Sequence, residues 1–81
     1  MKVTVKLKKK TEKEIFIVTE NIPLDKALKF SGIAGTGGQA KMIIQDGLVK
    51  VNGEVCLSRG KKLTVNDCFE FENVIYNIRK N

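Results

Sequence analysis

Residues 24–52 constrain this chain more than any other stretch. They read as a helix, a glycine-rich turn, a second helix and a strand that ends in Val51-Asn52-Gly53. Pro23 fits the first turn of a helix, where its missing N–H costs nothing. Leu24, Ala27 and Leu28 follow at helical spacing, with Phe30 and Ile33 close behind and Lys26 and Lys29 towards the other face. Gly32 is placed as a C′ stop. Thr36-Gly37-Gly38-Gln39 matches a capping box, with Thr36 as N-cap and Gln39 at N3. Ala40, Ile43 and Ile44 then form a buried stripe, Lys41 and Gln45 share the outward face, and Gly47 ends the helix. Asn52-Gly53 is a type I′ hairpin signal, because both central residues of that turn need positive φ.

The flanks read as β-structure. Residues 2–8 alternate, with Val3, Val5 and Leu7 on one face, and predict a half-buried strand. Residues 9–13 are polar and read as a loop. Residues 14–19 hold Ile15, Phe16, Ile17 and Val18, a β-rich run expected to pair back as a hairpin. After Asn52-Gly53 the chain returns over residues 54–57, and residues 58–62 form a basic loop. Strand signals follow at 63–65, 68–71 and 74–78, separated by turns at Asn66-Asp67 and Glu72-Asn73; residues 79–81 read as a frayed tail. Eighty-one residues hold one small core, so residues 1–81 form a single domain.

Fifteen basic against nine acidic residues give a net charge of +6, which favours anionic partners. The chain has no histidine, so the commonest general base and metal ligand is missing. The acidic residues are scattered and no serine has a histidine base, which argues against an enzyme; no catalytic residue, metal or cofactor is expected. Cys56 and Cys68 are far apart and read as reduced thiols packed as small hydrophobes. Gly35 to Lys41 is no P-loop, since Met42 stands where a magnesium-binding hydroxyl belongs. Gly35-x-Gly37-x-x-Ala40 is no dinucleotide fingerprint, since no convincing strand precedes it. Residues 1–6 alternate instead of forming an apolar leader, and no apolar run is long enough to cross a membrane. The cytoplasm is the expected compartment, with no membrane partner and no small-molecule substrate.

The chemistry that remains is anion binding. The first N–H groups of the second helix lack backbone partners and carry the positive end of the helix dipole. Gly37 and Gly38 present no side chains there, so a phosphate oxygen can approach the backbone. Lys41 lies one turn on, Lys50 points out from the next strand, and Arg59, Lys61 and Lys62 sit in a loop that a compact fold can bring alongside. Together these predict a basic crescent around a helix opening.

Leu24-x-x-x-Leu28-Lys29-x-x-Gly32, Gly37-Gly38-Gln39-Ala40-Lys41-x-x-Ile44-x-x-Gly47-x-Val49-x-Val51-Asn52-Gly53 and Arg59-Gly60-Lys61-Lys62-Leu63 with Asp67 resemble the RNA-binding domain named after ribosomal protein S-four, the alpha-L motif. The likeness covers residues 22–72 and is greatest to small, stand-alone bacterial members. It implies an α+β fold with two short helices packed on a small, mostly antiparallel sheet. Residues 1–20 then form an N-terminal β-hairpin extension and residues 73–81 a C-terminal strand and tail. It also implies a non-catalytic monomer that docks on structured RNA, ribosomal or transfer, with the ribosome as a natural context. Carried over by position, the RNA-facing residues are Thr36, Gly38, Gln39, Lys41, Lys50, Asn52, Arg59, Lys61 and Lys62. Many family members place an arginine near Gly38; here Lys41 and the backbone stand in its place.

Duplex RNA offers phosphates and 2′-hydroxyls more readily than base edges, so recognition by shape and charge is expected. Phe16, Phe30, Phe69, Phe71 and Tyr76 mostly fit core positions, which disfavours a single-strand stacking platform. A DNA-binding helix-turn-helix is the competing reading, but glycines occupy the place of its base-reading side chains. A protein-interaction module is the third, and its mark is an exposed apolar patch that the sequence does not locate.

Overall fold

The computed structural model describes residues 11–81. The strand expected over residues 2–8 and the lysines at 8–10 lie outside the described residues. The chain then runs through β1 (Thr11–Ile17), β2 (Ile22–Pro23), α1 (Leu24–Phe30), α2 (Gly37–Gln45), β3 (Lys50–Val51) and β4 (Glu54–Val55). It closes with β5 (Lys62–Leu63), β6 (Cys68–Phe71) and β7 (Val74–Lys80). This is the expected α+β architecture, two short helices on a sheet.

The main sheet has the order β1-β7-β6-β3-β4, and β2 pairs with β5 beside it. The β6–β7, β3–β6 and β3–β4 pairs are antiparallel. The exception is β1, which lies parallel to β7 from Thr11↔Val74 to Ile17↔Lys80. Two expectations change with it. Thr11 to Lys13 belong to the strand, not to a loop. Among the described residues, the partner of β1 is the far end of the chain; the hairpin partner expected for it is not among them. Residues 79–80 are strand instead of frayed tail, tied by an Arg79 Nε–Glu14 Oε2 ion pair of 3.2 Å and by Asn81 N–H donating to Ile17 O at 2.8 Å.

Side-chain periodicity builds the core. Ile15 and Ile17 alternate inward from β1, while Phe69, Tyr76 and Ile78 face in from β6 and β7. Leu24, Ala27 and Leu28 give α1 its buried stripe, and Ala40 and Ile44 do the same for α2. Leu24, Leu28, Ile44, Leu63, Phe69 and Ile78 are wholly shielded, each contributing roughly 1.5–3 kcal/mol of burial. Phe30 departs from expectation and is 66% exposed. At 100° per residue it is turned roughly 200° from Leu28, away from the stripe.

Both helices stop in the same way. Ile33 N–H reaches Leu28 O and Gly32 N–H reaches Lys29 O after α1; Leu48 N–H reaches Ile43 O and Gly47 N–H reaches Ile44 O after α2. This 6→1 plus 5→2 pattern needs a left-handed residue, supplied by Gly32 at φ +86° and Gly47 at φ +75°. The β3–β4 turn has the expected type I′ signs, with Asn52 at φ 51° and Gly53 at φ 91°.

Candidate nucleic-acid interface

The opening of α2 is one half of the site. Thr36 holds extended backbone and its Oγ1 accepts from Gln39 N–H at 3.1 Å, the cap expected from the sequence. The reciprocal bond is displaced by one residue. Gln39 Oε1 accepts from Gly35 N–H at 2.7 Å, so the residue before the cap is tied down as well. Ala40 N–H donates to Thr36 O, so Gly37 and Gly38 carry the open donors of the first turn. Open space lies over Gly37, and only the Thr36 hydroxyl comes near Gly38. Lys41 is exposed one turn along. Thr36→Ala is expected to cost about 1 kcal/mol and to lower the melting temperature by about 4–8 °C. An unchanged thermal melt would show that the hydroxyl is not capping.

The second half gathers around the β3–β4 turn. Lys61, Asn52 and Glu54 line a shallow polar groove with Val55, Cys56 and Leu57, and residues 36–41 are not part of it. The loop carrying Arg59 and Lys61 is docked through its backbone on the start of α1. Leu24 N–H donates to Lys61 O at 2.8 Å and Asp25 N–H to Arg59 O at 3.1 Å. Lys62 sits in β5 opposite Pro23. The backbone of this loop is therefore fixed while Arg59, Lys61 and Lys62 stay exposed. Lys50 is exposed on β3. Lys41 is thus presented in the first turns of α2, Lys50 on β3, Lys61 beside the β3–β4 turn, and Arg59 and Lys62 on the segment that docks against the start of α1.

Asn52 plays a part that its spacing did not foretell. Its Nδ2 donates to Asp67 Oδ1 at 3.1 Å and its Oδ1 accepts from Cys68 N–H at 3.0 Å. Its carboxamide is engaged inside the protein and locks the turn to β6. Asp67 completes the clasp, its Oδ2 accepting from Thr64 N–H at 2.8 Å and from Thr64 Oγ1 at 3.2 Å. The Thr64 backbone N–H is the main force holding the Asp67 carboxyl below its ordinary range. Partial burial opposes it, while the Asn52 amide, the Thr64 hydroxyl and the charge of Lys61 add to it. The sequence marks Asp67 as a turn residue and as part of the family likeness but not as a clasp; the Thr64-x-x-Asp67 spacing is the local signal that could have flagged that role. The thiols of Cys56 and Cys68 are free and half-buried. Among the described residues no three carboxylates or thiols cluster as a metal site, and no helix is long and apolar enough to cross a membrane.

Comparison with known proteins identifies the family. The family described as S4 domain matches residues 15–79. A probable ribosome maturation protein, RlbA of Bacillus subtilis (strain 168), is 41% identical over 58 residues, covering 72% of this chain and 82% of the relative. The family match takes in both helices, the β3–β4 turn and most of β7. The chain belongs to the S4 domain family, and its fold is the alpha-L fold.

Proposed function

We propose that this protein is a non-catalytic RNA-binding module that docks on structured RNA of the ribosome. One observation carries the reading most directly. The fold fixes the backbones of two basic segments, the capped α2 opening and the 58–62 loop, and leaves their lysines in solvent. Fixed backbone amides with exposed cations suit a ligand recognised by its phosphates and shape. The S4 domain membership and the name of the Bacillus relative supply the ribosomal context. In this reading Gly38, Lys41, Lys50, Arg59, Lys61 and Lys62 contact ribose-phosphate. Thr36 and Gln39 order the helix opening, and Asn52 orders the turn. Residues 22–72 form the binding core, extended by strands on either side within one domain. The protein works as a cytoplasmic monomer and needs no cofactor.

The test is titration of a ribosomal RNA hairpin at several salt concentrations. Lys41→Ala and Lys61→Ala are each expected to weaken binding and to flatten the salt dependence by about one unit of slope per lost phosphate contact. Duplex DNA at matched salt should bind more weakly. Unchanged affinity and slope in both variants would sink the surface assignment, and equal affinity for DNA would sink the preference for RNA.

A further inference from the structure

Phe16, Val18 and Phe30 are 50%, 73% and 66% exposed. With half-buried Ile22 they line one shallow groove between the end of β1 and the end of α1. A second hollow continues from Phe30 across Ile22 to Lys26 and Lys29, and a third runs from Phe16 and Phe30 to Lys13. The exposure follows from the fold. Phe16 alternates outward between buried Ile15 and Ile17, and Phe30 is turned off the buried stripe of α1. Two phenyl rings left in water beside two aliphatic side chains are unfavourable in isolation and mark a contact surface. Among the described residues the patch stands at the β1 side of the sheet, whereas the Lys61 groove runs along the β3–β4 side.

Charge decides what fits. Lys13, Lys26 and Lys29 are exposed and have no carboxylate in ion-pair contact among the described residues. Of the acids nearby, Glu14, which shares the Lys13 hollow, pairs with Arg79 at 3.2 Å, Glu20 pairs with Lys80 at 3.5 Å, and Asp25 accepts from the backbone N–H of Lys26 at 2.8 Å, which leaves three unpaired lysines against one unpaired carboxylate. The rim is therefore cationic around an apolar floor. A second copy of this chain would bring the same lysines against it. The chain's own residues 1–10 carry five lysines and no acidic residue, and so offer the rim lysines no counter-charge. RNA would satisfy the lysines and could stack on a ring, but it would leave Val18 and Ile22 without a partner. We infer that this groove docks a segment of another protein in which apolar side chains are flanked by Asp or Glu. The two sides of the sheet then hold two different partners, and this inference stands independently of the RNA reading.

Site-specific photo-crosslinking tests it. The full chain carries Phe30→benzoylphenylalanine, is irradiated in cells of its source organism, and the adducts are sequenced by mass spectrometry. Position 30 is exposed, so the probe does not disturb the core. The expected adduct joins another protein at a segment with apolar residues flanked by carboxylates. Its yield is expected to fall about fivefold or more with Lys26→Glu plus Lys29→Glu, and to persist with Lys26→Arg plus Lys29→Arg. Purified double-glutamate protein should keep its RNA-hairpin affinity within about twofold, because neither lysine belongs to the RNA surface. An adduct to RNA, to a second copy or to residues 1–10 would overturn the inference, as would no adduct, or one indifferent to charge reversal.

Discussion

Phe69→Ala is expected to cost about 3–5 kcal/mol, the largest stability loss of any substitution considered. Phe69 is wholly buried on β6, paired with Val51 of β3 on one side and Tyr76 of β7 on the other. Its ring stacks on that of Tyr76 with centroids 4.8 Å apart and planes 11° apart, inside the range where aromatic pairs add to simple burial. Truncation removes the transfer free energy of the ring and leaves a void between strands that backbone pairing prevents from closing. A domain of 81 residues has roughly 4–12 kcal/mol of total stability. The loss therefore takes about a quarter of it or more, and denaturant unfolding should show a much lower midpoint. Phe69→Leu keeps most of the volume and should cost less than about 1.5 kcal/mol. Phe30→Ala, on the exposed side of α1, should stay within about 0.5 kcal/mol of wild type. If Phe69→Ala and Phe30→Ala unfolded alike, the assignment of these two rings to core and surface would be wrong.

That contrast also shows what the sequence could and could not say. Local signals read well, because a cap or a turn is decided by a few adjacent residues. Thr36 caps Gln39 as the spacing predicts, and Asn52-Gly53 adopts the positive φ pair its chemistry favours. The β-rich run in residues 14–19 marks a strand correctly, but it carries no sign of the β7 pairing. Thr11 pairs with Val74, far along the chain, and no local pattern encodes a pairing bought with so long a loop closure. Phe30 was misplaced because α1 is only seven residues long, Leu24–Phe30, and offers barely two turns from which to judge a stripe. The aromatic count alone therefore hid the exposed patch, since a phenylalanine is ordinarily assigned to a core.

The site follows the same division. Lysines exposed by charge and turn chemistry were readable; how they are grouped was not. The 58–62 loop reaches the start of α1 through backbone bonds from Leu24 and Asp25, and such bonds leave no mark on residue type. The consequence is functional. Lys61 lies beside the Asn52–Asp67 clasp, where one carboxylate orders the turn and tempers the local positive charge.

Asp67→Asn is expected to destabilise the protein by about 1–2 kcal/mol at neutral pH, discounted because the site is partly wet. That corresponds to a fall of about 5–15 °C in melting temperature. The carboxylate accepts three hydrogen bonds, from Thr64 N–H, Thr64 Oγ1 and Asn52 Nδ2. An asparagine can serve only one side of this set, since its NH2 then faces another donor. The pH dependence separates loss of charge from loss of packing. Because folding holds the Asp67 carboxyl below its ordinary value, its stabilisation is fully present above the unfolded pKa of about 3.9 and is lost as pH falls through the lower folded value. Wild type and Asp67→Asn should thus differ most at neutral pH and converge in acid. Asn52→Gly keeps the left-handed backbone while removing the amide, so a double-mutant cycle with Asp67→Asn should give a coupling of about 0.5–1.5 kcal/mol. Identical melts at neutral pH would dismiss the clasp, whereas a difference that persisted undiminished in strong acid would assign the effect to shape instead of charge.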